Sequence, residues 1–138
     1  MMRAGAFVAA LLLGGLAPAH GAEPLAPCGR CHMAYPAAML PQRSWTAILA
    51  SLPSHFGAKV ELPAQQLAVI GGYLAAHAAD GPQASQEDRH YLDPLSGEPA
   101  PTRITRTQWW KDRHADLGGA GIAAPSDCRS CHPDGFER

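Results

Sequence analysis

Hydrophobic positions recur at helical spacing in three stretches of the chain, and nowhere do they alternate over a length that predicts a β-strand. The clearest stretch is 42–52, where four apolar residues share one face: Trp45, Ile48, Leu49 and Leu52. Pro53 follows and ends this predicted helix, because a proline ring does not fit a helix interior. The pattern predicts a mainly α protein.

A second helix is predicted over 64–79. Pro63 stands at its start, where a proline costs no hydrogen bond, and Asp80-Gly81-Pro82 stops it. The paired glycines Gly71 and Gly72 lower its helix propensity by about 1 kcal/mol each relative to alanine. Its predicted inner face consists of Leu67, Ile70, Leu74 and His77.

The third predicted helix covers 105–116, with Thr105 as its N-cap and with Trp110 and His114 one turn apart on one face. A polar, proline-rich segment without periodicity precedes this helix. We take that segment as a boundary, which divides the mature chain into 23–81 and 82–138.

The N-terminus has the pattern of an export signal. Arg3 supplies a positive charge, and the apolar run from Phe7 to Leu16 fits a signal peptide but is too short to span a bilayer. Small residues follow, which predicts cleavage between Ala19 and Glu23. The sequence therefore predicts a signal peptide over 1–22 and a periplasmic mature protein, with a retained membrane anchor as the alternative.

The composition of the chain limits the classes of partner that it can bind and the size of its hydrophobic core. Without the leader, 10 basic and 12 acidic residues remain, a net charge of −2, and no run of Lys or Arg favours nucleic acid. A chain of 138 residues, shortened further by cleavage, buries little surface for its size. An apolar cofactor would add to such a core.

The four cysteines form two C-x-x-C-H motifs, 28–32 and 128–132. This spacing is the signature of covalent haem c attachment. Two thiols on one turn reach the two vinyl groups of one porphyrin edge, and the following histidine binds the iron. The sequence therefore predicts two haem c groups, attached and ligated by six residues: Cys28, Cys31, His32, Cys128, Cys131 and His132.

Three other uses of paired cysteines fit the sequence less well. A thioredoxin-type motif needs a βαβ context that the pattern lacks, and it does not explain the histidine after each pair. Zinc ribbons bring cysteine pairs together within about 15–20 residues, far closer than these. Disulfides are the default in an exported protein, but they too leave the histidines unexplained.

Each iron can take one more axial ligand, and the sequence alone leaves several candidates open. Four further histidines remain in the mature chain: His55, His77, His90 and His114. Met39 is a poor candidate because it lies only seven residues beyond His32, and the C-terminal half contains no methionine. The second haem therefore uses histidine, another group or nothing.

The chain resembles the bacterial small dihaem cytochrome c family over almost its whole mature length. The resemblance rests on the following segments: 28–36 (CGRCHMAYP), 39–45 (MLPQRSW), 55–57 (HFG), 103–105 (RIT), Trp109-Trp110 with His114, and the final C-x-x-C-H. It implies an N-terminal half that is like a class I cytochrome c reduced in size, and an irregular, loop-rich C-terminal half. It also implies that His55 and His114 are the distal ligands.

The function implied by this resemblance is electron transfer between redox proteins, without enzymatic activity. Partners of the family include a small oxygen-binding monohaem cytochrome and b-type membrane cytochromes. The alternative hypotheses are a haem-based peroxidase or gas-binding protein with one open or displaceable axial site, and a structural module held together by zinc.

Overall fold

The computed structural model describes residues 23–92, 100–119 and 124–136. The predicted signal peptide and its cleavage site lie outside these residues. The described residues form three α-helices: α1 (Gln42–Ala50), α2 (Ala64–His77) and α3 (Gln108–Arg113). Short 3₁₀ turns join them, and an isolated bridge between His55 and Ala58 is the only β-type pairing in these ranges. The prediction of a mainly α fold is confirmed, and the domain boundary after residue 81 stays a prediction.

Helices α1 and α2 pack against each other and form the core of the described structure. Trp45 of α1 is buried, and its indole N–H donates to the carbonyl oxygen of Ala37 at 2.7 Å, which satisfies the polar end of the ring. The core cluster consists of Leu25, Ala37, Leu40, Trp45, Ile48, Ile70, Leu74 and Ala78. The predicted inner faces of these two helices therefore meet, although four of their eight residues are only partly buried: Leu49, Leu52, Leu67 and His77.

The segment after α2 is joined to the start of α1. The Asp80 carboxylate accepts the backbone N–H of Gln42 at 2.7 Å, and the Gln42 side-chain amide donates to the Asp80 carbonyl at 3.2 Å. The backbone N–H of Ala79 donates to the carbonyl of Leu40 at 3.1 Å. A carboxylate at the N-terminus of α1 also interacts favourably with the helix dipole. These bonds fix the α1–α2 pair.

The ends of the predicted helices were partly wrong. Helix α1 ends at Ala50 instead of Leu52, because Leu52 belongs to a 3₁₀ turn, Leu52–Ser54, that contains Pro53. Helix α2 ends at His77 instead of Ala79, because Ala78 adopts an extended conformation with ψ 161°. Neither change moves the apolar faces.

The third helix is much shorter than predicted, and its N-cap was assigned to the wrong threonine. Thr107, not Thr105, caps α3: its hydroxyl accepts the backbone N–H of Trp110 at 3.2 Å. A 3₁₀ turn, Ile104–Arg106, occupies the preceding residues. The helix stops at Arg113, because His114 leaves helical geometry with φ −124° and ψ 29°.

No helix among the described residues is long and apolar enough to cross a membrane.

Candidate functional site

The two C-x-x-C-H motifs adopt nearly the same backbone conformation. Each begins with a 3₁₀ turn, Cys28–Arg30 in the first motif and Cys128–Ser130 in the second. The second cysteine of each motif is helical, with φ/ψ of −113°/−34° at Cys31 and −117°/−21° at Cys131. Both motifs therefore share the backbone turn on which their two cysteines lie, as attachment of the same group requires.

None of the four cysteines is joined to another in a disulfide. Before haem is attached, burial raises the pKa of the Cys28 thiol, and the backbone hydrogen bond of Cys28 lowers it by a smaller amount. Among the described residues, no group of three or more His, Cys, Asp or Glu side chains is arranged to hold a metal ion. The disulfide and zinc alternatives therefore find no support in the described geometry.

Each motif histidine faces a second histidine from a distant part of the chain. The ring centroids of His32 and His55 lie 6.1 Å apart with 26° between the ring planes. Those of His114 and His132 lie 6.4 Å apart with 67° between the planes. The structure thus brings each distal ligand implied by the resemblance, His55 and His114, to one motif histidine.

The spacing of the rings fits a metal ion held between them. A metal–imidazole bond is about 2.0 Å long and a ring nitrogen lies about 1.1 Å from the ring centre, so two imidazoles on opposite sides of one ion have centroids roughly 6 Å apart. Aromatic ring pairs without a metal have centroids about 4.5–7 Å apart, a range that includes both separations. Both pairs lie at a separation that admits one intervening metal ion, such as a haem iron, and the position of one ring directly after a cysteine pair is what points to that use.

Backbone carbonyls orient one ring of each pair. Nδ1 of His32 lies 2.7 Å from the carbonyl oxygen of Met33, and Nδ1 of His114 lies 2.9 Å from that of Trp110. Only an Nδ1–H can donate to a carbonyl, so these bonds fix the tautomer in which Nε2 carries a free lone pair. Such a bond to the outer nitrogen is the usual support of a metal-ligating histidine.

The ring of His55 has an unsatisfied nitrogen. Its Nδ1 is buried and has no hydrogen-bond partner among the residues that the structure describes. Burial, and to a smaller extent the nearby His32, lowers the pKa of His55. Its imidazole therefore stays neutral to lower pH than an exposed histidine, and the neutral ring is the form that binds a metal.

Local structure places the two distal rings differently. His55 follows the turn Leu52–Ser54 and enters a tight reversal closed by the Ala58 backbone N–H, which donates to the His55 carbonyl at 2.9 Å. His114 stands at the C-terminus of α3, and its ring stacks on Trp110 at 4.6 Å and 11°. The predicted pairing of Trp110 and His114 on one face thus serves to hold the imidazole.

Two aromatic residues that the sequence analysis did not single out connect the ring pairs. The Tyr35 ring stacks on His32 at 5.1 Å, and Phe136 lies 6.1 Å from Tyr35 and 5.4 Å from His132. The Cys128 thiol approaches the Tyr35 hydroxyl at 3.9 Å. Burial raises the pKa of Tyr35, so the phenol stays protonated at neutral pH.

The other candidate ligands lie elsewhere. Met39 is buried in the core, and so is Met33, which follows the first motif. His77 packs on the Tyr73 ring at 4.4 Å, near the end of α2. His90 is exposed in the 3₁₀ turn Asp88–Tyr91.

Comparison with known proteins agrees with the resemblance that the two C-x-x-C-H motifs indicate. The model of the dihaem cytochrome c family matches residues 25–137. No curated protein matches the chain. Among solved structures, a diheme cytochrome c from Rhodobacter sphaeroides is 39% identical over 80% of this chain and 88% of that chain, with a TM-score of 0.68.

Two further structures agree. DHC purified from Rhodobacter sphaeroides is 40% identical over 80% of this chain and 88% of that chain, with a TM-score of 0.59. A diheme cytochrome type c from Shewanella baltica is 32% identical over 79% of this chain and 77% of that chain, with a TM-score of 0.59. The matched region contains both cysteine pairs and both histidine pairs. This chain therefore carries two covalently bound haem c groups and belongs to the dihaem cytochrome c family.

Proposed function

We propose that this chain is a periplasmic electron-transfer protein and not an enzyme, in which two histidines hold each haem iron. The observation that supports this most strongly is the separation of the two ring pairs, 6.1 Å and 6.4 Å, each with one histidine directly after a cysteine pair. The thioether bonds are assigned to Cys28, Cys31, Cys128 and Cys131. The first iron is assigned to His32 and His55, and the second to His132 and His114.

The proposed ligand set determines the chemistry. A haem iron supplies a reversible one-electron step when it is bound. The paired imidazoles would hold each iron from two sides and would leave it no position for a substrate or gas. Histidine in place of methionine also lowers the reduction potential. The protein is therefore suited to carry electrons, as dihaem cytochromes c do.

Mass spectrometry tests the attachment. We expect the mature protein to carry two haem adducts, neither of which acid–acetone extracts, because thioether bonds survive denaturation. Replacing Cys128 by serine should leave the second haem attached by one bond and the first unchanged. A single adduct in the native protein, or haem that acid–acetone removes, would contradict the assignment.

The aromatic contacts support a path for electrons between the two haems. Tyr35 contacts His32 on one side and Phe136 on the other, and Phe136 contacts His132. Electrons tunnel faster through closely packed rings than across empty space of the same length. Because the phenol stays protonated at neutral pH, the path carries no fixed charge at Tyr35.

Replacing Tyr35 by leucine should slow electron transfer between the haems severalfold, because the ring contact to His32 is lost. Replacing it by phenylalanine should leave the rate close to that of the native protein, since the ring remains. Pulse radiolysis, which reduces one haem and follows re-equilibration, measures this rate. Tyr73→Leu is the matched control, because Tyr73 contacts His77 and neither ring pair. Equal rates for the leucine and phenylalanine variants of Tyr35 would exclude the ring path.

The proposed partners are other redox proteins, such as a small oxygen-binding monohaem cytochrome or a b-type membrane cytochrome. The second haem is the proposed contact site, because residues 129–134 of its attachment turn are all exposed, whereas Met33 beside the first motif is buried. Electron carriers must dissociate quickly, so the contact area should lie below roughly 1,200 Å² in total.

The predicted mature chain is mildly acidic, and ionised haem propionates would add negative charge. A basic partner should therefore be steered towards it, and salt should weaken that attraction. We expect stopped-flow oxidation by a small basic cytochrome to slow markedly between low and physiological ionic strength. A rate that does not depend on salt would remove the electrostatic part of this proposal.

A further inference from the structure

The loop that carries His55 contains an unfavourable backbone conformation. Phe56 has φ +49° and Gly57 has φ +96°, with the Ala58 N–H bonded to the His55 carbonyl. Two consecutive positive φ angles are typical of a type I′ turn, whose first central position favours asparagine, aspartate or glycine. A bulky aromatic residue there is strained, and such strain persists only where the surroundings hold it.

Part of the surroundings of Phe56 comes from the C-terminal half of the chain. The Arg103 guanidinium lies over the Phe56 ring, 4.2 Å from its centroid, and the ring of His55 also contacts it, with the centroids 4.8 Å apart. Phe56 is 49% exposed, so the contact with Arg103 lies near the protein surface. The Phe56 ring thus joins the proposed distal ligand to a cation from a distant segment.

That segment is itself anchored. Arg103 directly precedes the turn Ile104–Arg106, and Ile104 packs against the core cluster. The Thr107 hydroxyl donates to the Ile104 carbonyl at 2.7 Å and accepts the backbone N–H of Trp110. The same short stretch therefore continues into α3, which ends beside His114, the other proposed distal ligand.

We propose that Arg103 and Phe56 form a clamp that holds His55 on the first haem iron. This inference rests on the proposed function, since it takes His55 as a ligand of that haem. Both are positioning residues: the guanidinium attracts the face of the Phe56 ring, and this contact holds the strained turn closed behind the imidazole. When the contact is lost, the turn opens more often and the imidazole dissociates faster.

The test measures how fast His55 leaves the iron. At saturating carbon monoxide, binding to the reduced protein is limited by imidazole dissociation, and the phase that belongs to the first haem is the one that His55→Ala removes. We expect Arg103→Gln to speed this phase roughly two- to fivefold, the range of an exposed cation–π contact. Arg103→Lys, which keeps a cation over the ring, should largely restore the native rate.

A double-mutant cycle separates the contact from other effects. Phe56→Leu keeps a side chain in the strained position but removes the ring, so adding Arg103→Gln to it should change the rate no further. Arg89→Gln, at another exposed arginine, is the matched control and should leave the rate unchanged. An unchanged rate in Arg103→Gln, or an equal acceleration with and without the Phe56 ring, overturns the clamp.

An error in the ligand set and an error in the clamp would give different results in these variants. If His55→Ala creates no open carbon monoxide site, His55 is not a ligand and the proposed ligand set is wrong. If His55→Ala opens the site but Arg103→Gln leaves the native phase unchanged, the ligand set stands and only the clamp is refuted. Reduction potentials of the same variants give a second measurement, in which Arg103→Gln should shift the first haem and not the second.

Discussion

Replacing His55 by alanine should leave one of the two haems with an open axial position, and replacing His114 should do the same at the other. Each reduced variant should bind one carbon monoxide per protein at a rate proportional to gas concentration, because no internal ligand has to leave first. The substituted haem should also become high-spin, since one strong-field imidazole is lost. Carbon monoxide titration and electron paramagnetic resonance measure both effects.

The matched controls are the two remaining histidines. His77 packs on Tyr73, and His90 lies in an exposed turn, so His77→Ala and His90→Ala should leave both haems six-coordinate. If His77→Ala opens a haem, the assignment of His55 or His114 is wrong for that haem. Rapid, unimpeded binding of carbon monoxide to the native reduced protein would favour the peroxidase or gas-binding alternative.

Sequence periodicity was sufficient to locate α1 and α2 because each buries apolar residues at helical spacing. Ile48 and Ile70 lie where the spacing places them, inside one core. The ends of the helices were less predictable, since they depend on which residues satisfy the terminal backbone groups. Thr105 and Thr107 are equally good caps by residue type, and only the geometry of the preceding 3₁₀ turn selects Thr107.

The site was predictable to the extent that it is local. Each C-x-x-C-H motif places its own thiols and imidazole on one turn, so its chemistry follows from spacing alone. The distal histidines have no such spacing, because tertiary packing brings His55 to His32 and His114 to His132. The family resemblance predicts only that His55 and His114 are the distal ligands, and the ring geometry indicates which motif histidine each one faces.

The contact between the two halves of the site was not predicted. Tyr35 and Cys128 are 93 residues apart, and no local pattern indicates that they meet. A signal was nevertheless present in the sequence: an aromatic residue follows each motif histidine by three or four positions, Tyr35 after His32 and Phe136 after His132. Such residues lie close to the proximal imidazole and are available for contact across the two haems.

A large effect of a single substitution on stability is expected at Gly81. A Cβ at this position would lie 2.5 Å from the carbonyl oxygen of Ala76 and 2.6 Å from that of Ala75, both in the last turns of α2. These are backbone atoms, so they cannot move away as a flexible side chain does. The Ala76 carbonyl also accepts the Gln83 backbone N–H at 3.0 Å, and a shift of either segment would break that bond.

Gly81→Ala should therefore lower the free energy of unfolding by about 1–3 kcal/mol or more, the usual cost of forced overpacking. Gly72→Ala is the matched control, because nothing lies within 4 Å of a Cβ at Gly72, inside α2. That variant should be more stable by about 0.8–1.0 kcal/mol, since alanine favours the helix over glycine. Guanidinium unfolding of the haem-loaded protein, followed by circular dichroism, measures both changes.

Equal stability of the two variants would mean that Gly81 is not closely packed against the end of α2. A loss confined to Gly81→Ala would show that this contact fixes the junction through which Asp80 joins α2 to α1.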